Sequence, residues 1–457
     1  MGAVCLLGCL SLPAAAQEGA QNAAPVAAAP VAIAAQAAEP ASAPAFGAEA
    51  ETRRYLATLD GEARAKSNAY FEGGYWINLW STVWAVVVAW LLLGSRLSAR
   101  IRTWLETRTR RRWLQNLGYI PAYFVLAAVL TLPWALYTGF VREHEYGLSN
   151  QTLWAWLRDF SVGQAVSIVM FTPALILLYA ALRKFPRRWW LLGAGGGIAF
   201  MAFFAFLAPV FIMPLFNTYT PLQEGPVKEA VLSMARANGV PADNVYVVDA
   251  SRQTSRISAN VSGLGSTIRI SLNDNLLNQG TPAEIKAVMG HELGHYVLGH
   301  ATYHLMSYGL LFVVGFAFVH YGVRHVLARH GPRWGVRGLD DIASLPALMA
   351  ALSLFFLLAT PVTNNIIRAA ETEADIFGLN AAREPDGFAT SALKLSTYRK
   401  IEPSRFEEFF FYTHPSGASR IRMAMRWKAE NLDTLPPAAN ATALRAGNGQ
   451  DAQTGMP

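Results

Sequence analysis

Residues 281–323 read TPAEIKAVMGHELGHYVLGHATYHLMSYGLLFVVGFAFVHYGV, a capped helix running into a stretch apolar enough to cross a bilayer. Thr281, with Glu284 three residues on, forms a capping box, and Pro282 suits the first helical position, so a helix opens there. Within it His291-Glu292-Leu293-Gly294-His295 sets two imidazoles four residues apart on one face, where both can bind one metal ion. Glu292 stands beside them, placed to take a proton from water whose pKa a zinc ion lowers to roughly 7. By residue frequencies H-E-x-x-H arises by chance in a chain this long about once in a hundred. The competing reading is a helix with two surface histidines. The capped start and the adjoining apolar span count against it.

Outward from this segment the chain is dominated by apolar runs. Of 457 residues, 53% are hydrophobic and only 15% charged, against roughly 25% charged in soluble domains. Six stretches reach the length of about 20 apolar residues that a helical span needs: 74–95, 117–140, 162–182, 189–213, 303–323 and 342–364. The glycines between Gly193 and Gly197 have no preceding strand and no lysine, so they read as close helix packing rather than a phosphate loop. The net charge of +7 resides largely in arginines of short loops between spans, which are topology signals, and nucleic acid is not an expected partner.

The chain divides into a signal-like segment 1–16, an Ala/Pro-rich linker 17–50, and a region 51–215 with four spans. An insertion 216–302 follows, then two spans in 303–364, a polar part 365–430 and a tail 431–457. Inside the insertion, 224–238 has helical periodicity, and NVYVVDAS (244–251) and STIRISLND (266–274) alternate like strands. The only cysteines, Cys5 and Cys9, lie in the leader, so a cysteine nucleophile and cysteine–metal sites are excluded. No G-x-S-x-G elbow occurs either.

A hydrolytic metal site needs a third protein ligand and an open position. His300 is out of register with the pattern H-E-x-x-H-x-x-G-x-x-H, whose glycine and third histidine positions hold Leu298 and Ala301, and it reads as a structural or surface residue. Glu371 and Asp375, four apart after the sixth span, share a helical face. One can bind the metal while the other hydrogen-bonds a ligand histidine. The alternative is a solvated acidic helix end, which spacing alone does not exclude. Glu373 points elsewhere, toward solvent.

PWALYTGFVREHEYGLSNQT (133–152), MPLFNTYTPLQEG (213–225), HELGH (291–295), RAAETEAD (368–375) and THPSGASRI (413–421) occur in this order. Together they resemble the CAAX prenyl protease type 1 family of membrane metalloproteases, over about residues 65–428. The resemblance implies one zinc ion with Glu371 as third ligand, Asp375 as the partner behind a ligand, and His414 and Arg420 near the metal, supporting the oxyanion. It also implies a substrate-pairing strand. The family's Asn-Ala-Tyr on that strand is here Ser258-Ala259-Asn260, which leaves backbone pairing intact and alters side-chain contacts. The family's first of seven spans aligns with the signal-like start.

The expected fold is thus a mainly α, multi-pass membrane protein with a small α+β zinc-metalloprotease insertion. Its expected function is peptide hydrolysis by zinc-activated water, with a peptide or protein substrate, membrane-associated or prenylated, and membrane lipid as partners. Turnover of membrane proteins without CAAX specificity is the nearest rival. A transporter or scaffold is the rival from another class, and it explains none of the metal motifs. The signal-like start and the loop arginines point to a bacterial inner membrane with the catalytic side periplasmic.

Overall fold

The computed structural model describes residues 46–435, apart from Asp60 and 264–267. The leader 1–16, most of the linker 17–50 and most of the tail 431–457 lie outside the described residues. The linker's end differs from expectation: a helix, Ala48–Leu56, starts inside it. Its Glu49 pairs with Arg422 and Arg426 at 3.3 and 2.9 Å, so tertiary contacts hold a segment that composition reads as unstructured.

Among the described residues five helices are long and apolar enough to cross a membrane: Gly61–Gly94, Arg112–Glu145, Leu153–Lys184, His300–Trp334 and Ile342–Ala382. A sixth, Trp189–Ala205 with Ala208–Leu215, is bent where Pro209 withholds a backbone donor and the turn widens to a π-helix. The first helix has 34 residues, about 51 Å at 1.5 Å per residue, well beyond a hydrocarbon core of about 30 Å. The spans therefore project into water, which is why they begin earlier or end later than their apolar runs. Large apolar side chains stay exposed along them, Trp76, Trp80, Trp90, Val129 and Leu177 among them, a surface that suits lipid. A Cβ on Gly193 would come 2.5 Å from Phe316, so the glycine cluster serves close helix packing.

The insertion forms a four-stranded sheet of order β1-β2-β4-β3: β1 Tyr219–Pro221, β2 Val245–Val248, β3 Ala259–Ser262 and β4 Arg269–Asn273. The two expected strands are the central, parallel pair β2 and β4. The edges β1 and β3, antiparallel to their neighbours, read YTP and ANVS and lack the run of β-branched residues that marks β2. Ile285, Met289 and Leu293 of the Pro282–Val297 helix, each four apart, bury against Ile270 and Leu272 of the sheet.

A second face of that helix is nearly bare. Gly290 and Gly294 meet Gly378 and Ala374 of the Leu345–Ala382 helix, and a Cβ on Gly378 would lie 2.7 Å from the His291 nitrogen. Three glycines thus let the two helices approach closely enough for their polar side chains to converge.

The molecule has two distinct ends. At one, the arginine-rich loops join: Arg102 pairs with Asp341 at 2.9 Å and Arg337 with Glu106 at 2.6 Å. At the other, the 141–160 loop docks on the insertion through Arg256–Glu143 at 2.7 Å and Asn150 donating to the Ser251 carbonyl at 2.8 Å.

Candidate metal centre

The Pro282–Val297 helix presents His291 and His295 toward the Leu345–Ala382 helix, which returns Glu371 and Asp375. His291 Nε2 lies 3.1 Å from His295 Nε2 and 3.2 Å from Glu371 Oε2, and His295 Nε2 is 3.6 Å from Glu371 Oε1. Zinc–ligand bonds of 2.0–2.1 Å put tetrahedral ligand atoms about 3.3 Å apart, so the three side chains span a fitting set of edges. All three are buried.

The protons explain why this trio suits a cation. His291 Nδ1 donates to Asp375 Oδ1 at 2.7 Å, because a carboxylate only accepts. His300 Nε2 likewise donates to Glu373 Oε2 at 3.2 Å, leaving neutral His300 to accept at Nδ1 from His295 Nδ1, 2.9 Å away. Both Nε2 atoms then carry lone pairs aimed at each other and at Glu371. Glu371 Oε2 is itself buried with no hydrogen-bond donor. Facing lone pairs and an orphaned carboxylate oxygen are unfavourable alone and favourable around a metal ion.

Asp375 is fully buried and held from behind by Arg420, whose Nε and Nη2 donate to its two oxygens at 2.9 and 2.5 Å. His414 Nε2 lies 3.1 Å from Glu371 Oε2, and its Nδ1 is 2.9 Å from Thr413 Oγ1. Burial, then the charge of Arg399, pushes the His414 imidazole down to about 3, so it is neutral. Glu292 faces the same pocket with no hydrogen-bond partner among the described residues, and burial pushes its carboxyl up to about 7. A neighbouring cation would draw it down again.

Sequence profiles match most of the chain: "Peptidase family M48" over residues 221–428, and "CAAX prenyl protease N-terminal, five membrane helices" over 52–218. The uncharacterized metalloprotease YhfN of Bacillus subtilis is 30% identical over 73% of this chain and 79% of its own length. The chain belongs to peptidase family M48. Human CAAX prenyl protease 1 homolog is 26% identical over 80% of this chain and 86% of that protein, and the Saccharomyces cerevisiae CAAX prenyl protease 1 is 33% identical over 41% of each. The crystal structure of S. mikatae Ste24p superposes with a TM-score of 0.68 at 22% identity, covering 83% of this chain and 95% of that one. That likeness is one of fold.

In this M48 protein His291 of the trio lines a cavity of about 180 Å³, together with Glu292, His414, Arg420, Ser258 and Ala259 among others. A chamber of about 960 Å³ adjoins it, and Ser258 and Ala259 line both. Asn260 faces the chamber. β3, which carries Ala259 and Asn260, is a sheet edge whose other side pairs with β4.

Two readings from sequence are sharpened here. Of the two alternatives left open for His300, structural or surface, the structure favours the first: it is 1% exposed and backs His295. The chain turns through Gly299 in the left-handed region (φ +67°) and starts a new helix at His300, so the register of one continuous motif does not apply. Glu373 is exposed as read, yet it anchors His300. The second concerns Arg420, to which the resemblance gives a role near the metal: it lines the same cavity, with two of its nitrogens on Asp375.

These partners predict graded effects. Asp375→Asn should lower metal affinity by about 10- to 100-fold, and His300→Ala should weaken it at the lower end of that range. Metal content after dialysis against a graded chelator measures both. Unchanged retention in the two variants would show that neither group orients a ligand.

Proposed function

We propose that this M48 protein is a zinc endopeptidase whose ion is held by His291, His295 and Glu371, with Glu292 as the base. The observation that carries this is the convergence of two lone-pair-bearing Nε2 atoms on the buried Glu371 carboxylate, whose Oε2 lacks a hydrogen-bond donor. Two imidazoles and one carboxylate with a position left open match hydrolytic zinc sites. Zinc bound there supplies Lewis acidity, lowering the pKa of water and polarising a carbonyl. Glu292 accepts the proton from the attacking water and passes it to the leaving amine. His414, as a neutral imidazole beside the pocket, donates to the oxyanion. Arg420 acts through Asp375, keeping it ionised and aimed at His291.

The substrate is an extended peptide laid along the β3 edge, where main-chain groups of Ser258, Ala259 and Asn260 pair with it. The chamber at this edge leaves room for a polypeptide end. Both C-terminal processing of the CAAX kind, suggested by the relatives' names, and turnover of membrane proteins fit such a substrate. Hydrolysis of a quenched fluorescent peptide by detergent-solubilised protein should stop with a chelator and return with stoichiometric zinc. Activity that survives complete zinc removal would contradict the reading.

We further propose that the catalytic side faces the periplasm of a bacterial inner membrane. Arg96, Arg100, Arg102 and Arg108 to Arg112 (with Thr109 the one exception), Arg183 to Arg188 with Lys184, and Arg324 to Arg337 crowd loops at the end remote from the insertion. The 141–160 loop on the insertion side carries only Arg142 and Arg158. Short loops rich in arginine stay in the cytoplasm. Alkaline phosphatase fused after residue 430 should therefore be active and green fluorescent protein there dark. A bright fluorescent fusion would reverse the topology.

A further inference from the structure

The chamber beside the metal centre is lined by three arginines, Arg142, Arg256 and Arg399, and among the described residues by no aspartate or glutamate. Two of the three are already accommodated. Arg256 pairs with Glu143 at 2.7 Å and donates to the Tyr70 hydroxyl at 2.7 Å. Arg142 donates to the Tyr70 carbonyl and stacks on the Tyr70 and Tyr146 rings at 4.0 and 5.3 Å.

Arg399 is different. Among the described residues it has no ion pair and no hydrogen bond; the ring of its neighbour Tyr398 is 5.8 Å away, and Glu371 and Asp375, both beyond ion-pair distance, favour its charge while Arg420 opposes it. It is half-buried, and burial works against its charge. The guanidinium of the compensated Arg256 lies 5.2 Å from the same ring. Arg399 also lines both cavities, as Ser258 and Ala259 do, so a peptide running along β3 from the chamber to the metal passes it. A half-buried guanidinium without an anion is unfavourable in the free protein and favourable once a substrate supplies one.

We propose that Arg399 is a substrate-binding residue that takes a carboxylate of the peptide at the junction of chamber and active site. The carboxylate comes from a free C-terminus or from an acidic side chain. A planar guanidinium can grip either with two parallel hydrogen bonds. The proposal rests on the peptidase reading, but its test does not require turnover.

The test uses full-length Glu292→Gln protein in detergent and three fluorescein-labelled hexapeptides of leucine and alanine. One ends in a free acid, one in an amide, and one in an amide with a single internal glutamate. At least one carboxylate-bearing peptide should bind about 10- to 100-fold tighter than the neutral amide. Which one does identifies the source. In the Arg399→Gln, Glu292→Gln double variant that advantage should vanish while amide binding is unchanged, and Arg399→Lys should keep part of it. A merely structural arginine would weaken all three peptides alike. Equal affinities for the three peptides, no binding of either carboxylate peptide up to millimolar concentration, or an advantage that survives Arg399→Gln overturns the proposal. Failure of the wild-type protein to hydrolyse any peptide would instead overturn the peptidase reading.

Discussion

Glu292→Gln is expected to retain about one zinc per chain and to lose about 10²- to 10⁴-fold in peptide hydrolysis. The substitution is nearly isosteric, and among the described residues Glu292 makes no hydrogen bond that a neutral amide would disrupt. His291, His295 and Glu371 converge without it. What disappears is the one carboxylate among the described residues that line the pocket. Metal content by atomic absorption and turnover of a quenched peptide, measured on one preparation, separate the two properties. Near wild-type turnover with zinc present would remove Glu292 from the mechanism.

Replacing a ligand should have the opposite signature. His291→Ala, His295→Ala and Glu371→Ala are each expected to lose zinc outright at neutral pH, a larger effect than the roughly 10- to 100-fold expected for the groups behind them. Glu371→Ala is the sharpest of the three. It removes the carboxylate from between two facing imidazole lone pairs, and no other described carboxylate joins this cluster. Activity follows the metal, so added zinc should rescue His300→Ala far better than Glu371→Ala. If His300→Ala stripped the metal while Glu371→Ala kept it, the third ligand would be misassigned.

The parts of this protein that follow local rules were legible from sequence. The capping box at Thr281, with both of its hydrogen bonds formed, starts the helix where the residues say it must. The spans announce themselves because about 20 apolar residues in a row have few other uses. The central strands β2 and β4 lie in alternating runs rich in β-branched residues, whereas the edges β1 and β3 depend on neighbours for their existence. At the site, the His291–His295 pair follows from helical spacing. Spacing left Glu371 and Asp375 as a solvated helix end or a ligand and its partner, and only a resemblance favoured the second. The close approach that unites the helices depends on Gly290, Gly294 and Gly378, about 80 residues apart in sequence and in contact only in three dimensions. His300 was hidden for a related reason. Its role arises from a turn at Gly299 that redirects the chain, which no linear motif encodes. Arg399 carries no motif at all, and only the absence of an ion pair or hydrogen bond among the described residues singles it out.

The central claim is the ligand set, and anomalous diffraction at the zinc edge tests it most directly. Crystals of the Glu292→Gln protein should show one strong anomalous peak about 2.0–2.2 Å from His291 Nε2, His295 Nε2 and a Glu371 carboxylate oxygen, with His300 Nδ1 turned to His295 and bound to no metal. A peak ligated by His300 in place of Glu371, or zinc-replete crystals with no peak between these three side chains, would contradict the account.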